Sequence, residues 1–227
     1  MNIATTKIKR DIGYLTENKL LEEQLLSFLP VDAFREHFVS RLKSSADNYW
    51  QIMSEMRAVH VFHNILGVPV ADIETKTVGD KSVDFVCGWN NEKVFVEVKG
   101  FRPEDHGIAR RGGSLGNDEE KIDRALSRSQ DKFLNNACNI VVIADEDTIK
   151  PPLFMNPLAD LEGTPEIYLN SPNYSKTSSV MVLGGLYDGE MFKYKVWHNA
   201  NPQRALPKDL ISKLDQNKSN AKWPWQN

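Results

Sequence analysis

The sequence predicts an α/β domain built on a central mixed β-sheet flanked by helices. Three patterns carry that expectation. A helical stripe over 45–66 stops at Gly67 and Pro69, and three extended segments follow it, 70–77, 82–89 and 92–99. A further helix from Asn117 to about Asn136 leads into the apolar run Ile140–Ala144, bounded by polar residues as a fully buried strand is. Strand, helix, buried strand is a βαβ unit, so the 140–144 strand should lie parallel to an earlier one, while short turns make antiparallel pairs. The 227 residues are 41% hydrophobic and 26% charged, a globular composition. A net charge of -3 excludes a general basic coat for wrapping nucleic acid, though not a local basic patch. No apolar run approaches the roughly 18–20 residues of a membrane span. Met1–Arg10 holds no signal-like stretch, and Cys87 and Cys138 form no disulfide framework. A cytoplasmic protein with reduced thiols and no membrane partner is expected.

Taken in order, residues 16–29 place Leu20, Leu21, Leu25, Phe28 and Leu29 on one helical face, and Pro30 ends that helix. Val31, Phe34, Phe38 and Leu42 give a second amphipathic helix. Residues 1–44 therefore read as an N-terminal helical appendage packed on the core, in preference to a dimerisation arm; a homodimer stays open. The core domain, 45–200, begins with a helix capped by Ser45 or Asp47. Asn90 and Asn91 separate the second and third extended segments and suit a tight hairpin, because asparagine tolerates positive φ. Residues 101–117 are rich in glycine and polar groups and form a long loop. Asn117 with Glu120 is a capping box for the next helix. Residues 145–177, with Pro151, Pro152, Pro157, Pro165 and Pro172, are expected to be mostly irregular. A second hairpin over 179–187 and 190–197 turns at Asp188 and Gly189. Residues 201–227 form a C-terminal extension, read as a solvated, mildly basic tail with an aromatic anchor at Trp223, Pro224 and Trp225.

The chemistry concentrates in the first hairpin. A two-residue Asn90–Asn91 loop sets Trp89 opposite Glu92, and in that register Asp84 falls directly opposite Glu97. Opposed side chains share a face with Cβ atoms about 4.5–5.5 Å apart. Lys99, two residues beyond Glu97, points to the same face. Val83, Phe85 and Cys87 with Val94, Val96 and Val98 make the other face wholly apolar. Two facing carboxylates repel, and a bound divalent cation removes the cost. Oxygen ligands alone favour a hard ion such as Mg²⁺ or Mn²⁺, which keeps several waters and takes one or two carboxylates. A lysine beside them can help deprotonate a water or steady charge on a phosphate. The bland alternative is a solvated Glu-x-Lys pair on an exposed strand.

The order helix, three strands with aspartate on the second and Glu-x-Lys on the third, helix, buried strand resembles the PD-(D/E)XK nuclease superfamily, with its restriction-endonuclease-like fold. The resemblance covers about residues 45–145 and rests on Ser82, Val83, Asp84 and Phe85, then Glu97, Val98 and Lys99. Val83 stands where the name-giving proline would be, a departure common in that family. The resemblance implies that Asp84 and Glu97 bind Mg²⁺ or Mn²⁺ and that Lys99 is catalytic. It implies a metal-dependent nuclease whose partner is nucleic acid, DNA first, of the restriction, repair or phage-defence kind. An RNA-cleaving nuclease and a non-catalytic binding or assembly module with the same fold are the rivals.

Further residues bear on that reading. Ile52, Glu55, Val59, Phe62 and Leu66 step by 3 and 4, so Glu55 lies in an apolar stripe where a carboxylate needs a partner. The family commonly places a glutamate on this helix at the metal site, a role carried to Glu55; the alternative is a residue near the helix start that reaches solvent. Gln130 lies on the inward stripe of Leu126, Phe133 and Ala137. Either it serves as an accessory that touches phosphate, or it is a buried amide bonded to backbone. Arg102, Arg110 and Arg111 in the 101–117 loop begin just past Lys99, where a nucleic-acid-gripping loop would be useful; an ordinary disordered loop is the alternative. His60 and His63 lack a third metal ligand and read as partly buried structural histidines.

Overall fold

The computed structural model describes Lys19 and residues 22–44, 48–101, 116–145, 168–184 and 193–216. Its strands are β1 (Val70–Lys76), β2 (Ser82–Trp89), β3 (Glu92–Phe101), β4 (Cys138–Asp145), β5 (Ser179–Gly184) and β6 (Lys193–His198). They form one six-stranded sheet in the order β1-β2-β3-β4-β5-β6. Pairs β1–β2, β2–β3 and β5–β6 are antiparallel, and β3–β4 and β4–β5 are parallel. The mixed sheet, the two antiparallel hairpins and the parallel 140–144 strand all follow the sequence expectation. The β5–β6 pairs have the register of a turn centred on 188–189, residues that lie outside those described.

Helices α1 (Asp32–Ser44), α2 (Tyr49–His60), α3 (Gly116–Gln130) and α4 (Lys208–Asp215) cover the sheet. Helix α2 continues as one wide π-turn over Val61–Ile65, and Gly67 at φ 65° ends it. One face of the sheet buries Phe85, Cys87, Val94, Val96 and Val98 against Ile52, Met56 and Val59 of α2 and Phe62 of the π-turn, with Phe34 and Phe38 of α1 behind them. The other face buries Val86, Phe95, Val141 and Ile143 against Ile122, Ala125 and Leu126 of α3. Each such aliphatic or aromatic side chain contributes on the order of 1.5–3 kcal/mol by leaving water. Leu25 and Leu29, ahead of Pro30, join the first of these cores. The histidines are structural: the His60 ring stacks at 4.6 Å on Phe28, and His63 Nδ1 accepts the Val70 N–H at 3.4 Å.

Three expectations need correction. The tail is not simply solvated: Leu206, Leu210 and Leu214 recur every four residues, so 208–215 folds as α4 and docks on the α2 face beside Tyr194. His198 fastens it, with Nδ1 2.8 Å from Ser179 Oγ and Nε2 3.0 Å from Asp215 Oδ1. Helix α3 stops at Gln130, where a turn begins that places Phe133 in the core. Val83 packs with Val86 and Phe95 and not with Phe85 and Cys87. The reason is local: the β2–β3 ladder runs from Trp89↔Glu92 to Phe85↔Val96, and the Val98 N–H beyond it goes to the Asp84 side chain, so strict alternation ends. The proposed caps Ser45 and Asp47 and the anchor Trp223–Trp225 lie outside the described residues, as do the side chains of Asn117 and Glu120.

Candidate metal and phosphate site

Asn90 and Asn91 turn the hairpin with φ of 45° and 66°, the left-handed pair that a two-residue turn requires. The register fixed there sets Trp89 opposite Glu92 and Phe85 opposite Val96. Asp84 and Glu97 come next, where the ladder opens. Asp84 Oδ2 fills the opening by accepting the Val98 N–H at 2.6 Å. On the far side of β2, Glu74 of β1 lies in the same row at φ 49°, a left-handed residue inside a strand. Such a conformation costs a non-glycine residue roughly 1–3 kcal/mol.

Glu97 is fully enclosed, with 0% of its side chain exposed, and its two oxygens differ sharply. Oε1 accepts from Lys99 Nζ at 2.5 Å and from Lys132 Nζ at 2.6 Å. Oε2 is buried and has no hydrogen-bond partner among the described residues. Burial, then the charges of Glu55 and Glu97, hold the Asp84 carboxyl well above the usual carboxylate range, against the opposing pull of the Val98 N–H and Lys132. Burial, the largest single effect, lowers the Lys132 ammonium, but the charge and hydrogen bond of Glu97 together with the charges of Asp84 and Glu55 raise the group overall.

Glu55 is committed elsewhere. Arg41 of α1 grips it with both terminal nitrogens, Nη1 on Oε2 and Nη2 on Oε1 at 3.1 Å. Gln51, one turn earlier on α2, donates to Oε1 at 3.0 Å. The same Gln51 Nε2 donates to the Val98 carbonyl at 2.9 Å, and Gln51 Oε1 accepts the Gly100 N–H at 2.9 Å. Gln51 thus pins α2 to β3 on both sides of Lys99. The approach is close: a Cβ on Gly100 would stand 2.4 Å from Ser54 Oγ. Arg41 also lies 3.6 Å from Glu74 Oε1, which has His37 Nε2 at 3.5 Å.

The structure therefore brings Asp84, Glu97 and Lys99 together and sets Glu55 beside them. Gln130 turns away: its Nε2 donates to Thr177 Oγ1 at 2.6 Å and to the Leu126 carbonyl at 3.4 Å, so the amide is bonded to a side chain as well as to backbone. Arg102, Arg110 and Arg111 lie outside the described residues. Sequence reasoning missed Arg41, Gln51 and Lys132. Gln51 carried a signal, the i, i+4 step to Glu55; Arg41 and Lys132 reach the site only through the tertiary fold.

Among the described residues, no group of three or more His, Cys, Asp and Glu side chains is arranged to hold a metal ion. Asp84 and Glu97 are a two-carboxylate set, the number that suits Mg²⁺ with its remaining positions taken by water. The bare, buried Glu97 Oε2 fits such an ion, since an unpaired carboxylate oxygen in that position is costly without a cation. Glu55 could join only by releasing Arg41. A comparison of the chain with protein-family models, with curated proteins and with solved structures gives no significant match.

Proposed function

We propose that this chain is a metal-dependent nuclease with a restriction-endonuclease-like core, hydrolysing phosphodiester bonds of DNA as an endonuclease. The observation that carries the reading is Glu97: fully buried, one oxygen held by Lys99 and Lys132, the other without a hydrogen-bond partner among the described residues, with Asp84 at its side. A carboxylate with one oxygen reserved beside a second carboxylate supports a divalent-cation site. Asp84 and Glu97 would hold Mg²⁺ or Mn²⁺, which when bound supplies Lewis acidity at the scissile phosphate.

The chain's own residues do the rest. The Lys99 ammonium, set against Glu97, is placed to steady negative charge developing on the phosphate and to orient the attacking water. The Val98 N–H keeps Asp84 in one rotamer. Gln51 holds the strand carrying Lys99 against α2. Glu55 serves as the seat of Arg41 and so ties α1 to the site.

The test is incubation of plasmid, linear single-stranded DNA and RNA with the protein in Mg²⁺, Mn²⁺ or EDTA. The expected result is metal-dependent cutting of DNA that stops in EDTA and is lost in Glu97→Gln. Cutting of RNA alone would move the substrate class. An inert wild type across all arms would leave the fold as a binding module.

A further inference from the structure

We propose that Lys132 is a second phosphate-binding cation of this site, parked on Glu97 in the metal-free protein and released to a DNA phosphate when a divalent cation takes that carboxylate. The inference rests on the nuclease reading and adds a residue that the sequence pattern does not mark.

Two ammonium groups, from Lys99 and Lys132, share the single oxygen Glu97 Oε1. Without metal this is favourable, because Glu97 is enclosed and Asp84 adds its own negative pull on Lys132. A divalent cation on Asp84 and Glu97 changes the balance. It neutralises the carboxylates that hold the lysines and repels both ammonium groups at short range. At least one has to find another anion, and the anion brought to this site is the backbone of the substrate.

Lys132 is the one built to move. Lys99 is carried by the strand itself, two residues from Glu97. Lys132 sits on the turn after α3, with 30% of its side chain exposed, so its stem spans from buried carboxylate to solvent. Backbone hydrogen bonds fix the turn, while the ammonium is held by its ion pair to Glu97. The Lys132 N–H donates to the Ser129 carbonyl at 3.0 Å, and its carbonyl accepts from Thr77 Oγ1 at 2.5 Å. Lys176 Nζ brackets the turn by donating to the carbonyls of Gln130 at 3.2 Å and Phe133 at 3.3 Å. The base of Lys132 is thus clamped by Thr77, just past β1, and from the segment before β5, and only the ammonium end has two anions to choose between.

The experiment measures binding of a DNA duplex against KCl concentration, in Ca²⁺ and in EDTA, for wild type, Lys132→Gln and Lys132→Arg. Glutamine keeps a donor for Glu97 Oε1 and removes the charge; arginine keeps the charge. In Ca²⁺ the log–log salt slope of Lys132→Gln should be shallower than wild type by about 0.9, the value of one phosphate contact, with Lys132→Arg restoring it. In EDTA the slopes should coincide, because the lysine is then on Glu97. Equal slopes in Ca²⁺ would overturn the proposal and leave Lys132 a fixed counter-ion. The same loss in Ca²⁺ and EDTA would also overturn it, making Lys132 an ordinary surface cation. A readout in the wild-type protein needs no variant: the Lys132 side-chain ¹³Cε resonance should move on adding Ca²⁺ and again on adding duplex, and a resonance that ignores both contradicts the proposal. Failure of the nuclease reading looks different, since wild type would then show no Mn²⁺ uptake in calorimetry and cut no nucleic acid in Mg²⁺ or Mn²⁺, whether or not it binds duplex.

Discussion

Replacing Arg41 with methionine keeps an apolar stem and removes the guanidinium, which holds Glu55 and has its carbon 6.0 Å from the Phe38 ring centroid. Glu55 has only 3% of its side chain exposed, so the carboxylate left behind stays largely out of water. Removing one partner of a fully buried ion pair costs about 3–5 kcal/mol. Two features reduce that here. Arg41 is itself 26% exposed, and Gln51 still donates to Glu55 Oε1. The expected loss is about 2–3 kcal/mol, or roughly 1 M in the urea midpoint for a chain of this size. Adding Glu55→Gln should recover most of it, because the buried charge is then gone while the Gln51 contact can persist. The assay is urea unfolding followed by tryptophan fluorescence, with the slope compared across variants to confirm that only stability changes. A single variant within about 0.5 kcal/mol of wild type, the range of an exposed pair, would refute the claim that Glu55 is the buried seat of Arg41. So would a double variant no more stable than the single one.

The remaining predictions concern pH, metal and packing. The Asp84 carboxyl titrates higher in the folded than in the unfolded chain. The metal-free protein should therefore lose stability as pH rises from the unfolded carboxylate value of about 3.9 to the folded value, then level off. Asp84→Asn removes that decline, and saturating Mn²⁺ offsets it only in wild type; if the stability difference between the two proteins is flat with pH, the argument fails. Burial pushes His60 down to about 4, so its contribution is present above about 6.5 and is lost as pH falls towards 4, by on the order of 3 kcal/mol. His60→Gln should flatten that acid limb in the same titration, and an unchanged limb would place the effect elsewhere. Gly100→Ala forces a methyl to within 2.4 Å of Ser54 Oγ and 3.3 Å of the Trp50 carbonyl, and should cost about 1–3 kcal/mol. Ser54→Ala should recover only part of the loss, since Ser54 Cβ at 3.0 Å and the carbonyl remain; a neutral Gly100→Ala would contradict the close approach of α2 to β3.

The hairpin that carries the site was legible because its register follows from a two-residue turn, and the Asn-Asn pair names that turn. The parallel β4 was legible because five successive apolar residues, Ile140–Ala144, after a helix leave few other arrangements. Helix α4 was hidden, although Leu206, Leu210 and Leu214 have helical spacing, because the lysines between and beyond them make the segment read as polar tail. Val83 escaped because alternation assumes an unbroken ladder, and Asp84 breaks it by taking a backbone N–H for itself. The two carboxylates and Lys99 sit on adjacent strands, where local geometry predicts proximity. Arg41 and Lys132 arrive from α1 and from the turn after α3. Long polar side chains leave no periodic signal, and nothing local links either to Glu55 or Glu97. Gln130 shows the reverse: its place on the inward stripe was real, yet the amide ends on Thr177 and not among the carboxylates.

The claim that Lys99 acts on the scissile phosphate beside a cation held by Asp84 and Glu97 is tested most directly with one labelled DNA duplex and Lys99→Ala. Binding is measured in Ca²⁺ and single-turnover cleavage in Mg²⁺. The account predicts near wild-type affinity, because one phosphate contact is a small part of the total. It predicts cleavage slower by about 10²-fold or more, the scale for losing a positioned acid–base or electrostatic group. A Lys99→Ala protein that cuts the duplex as fast as wild type would contradict it.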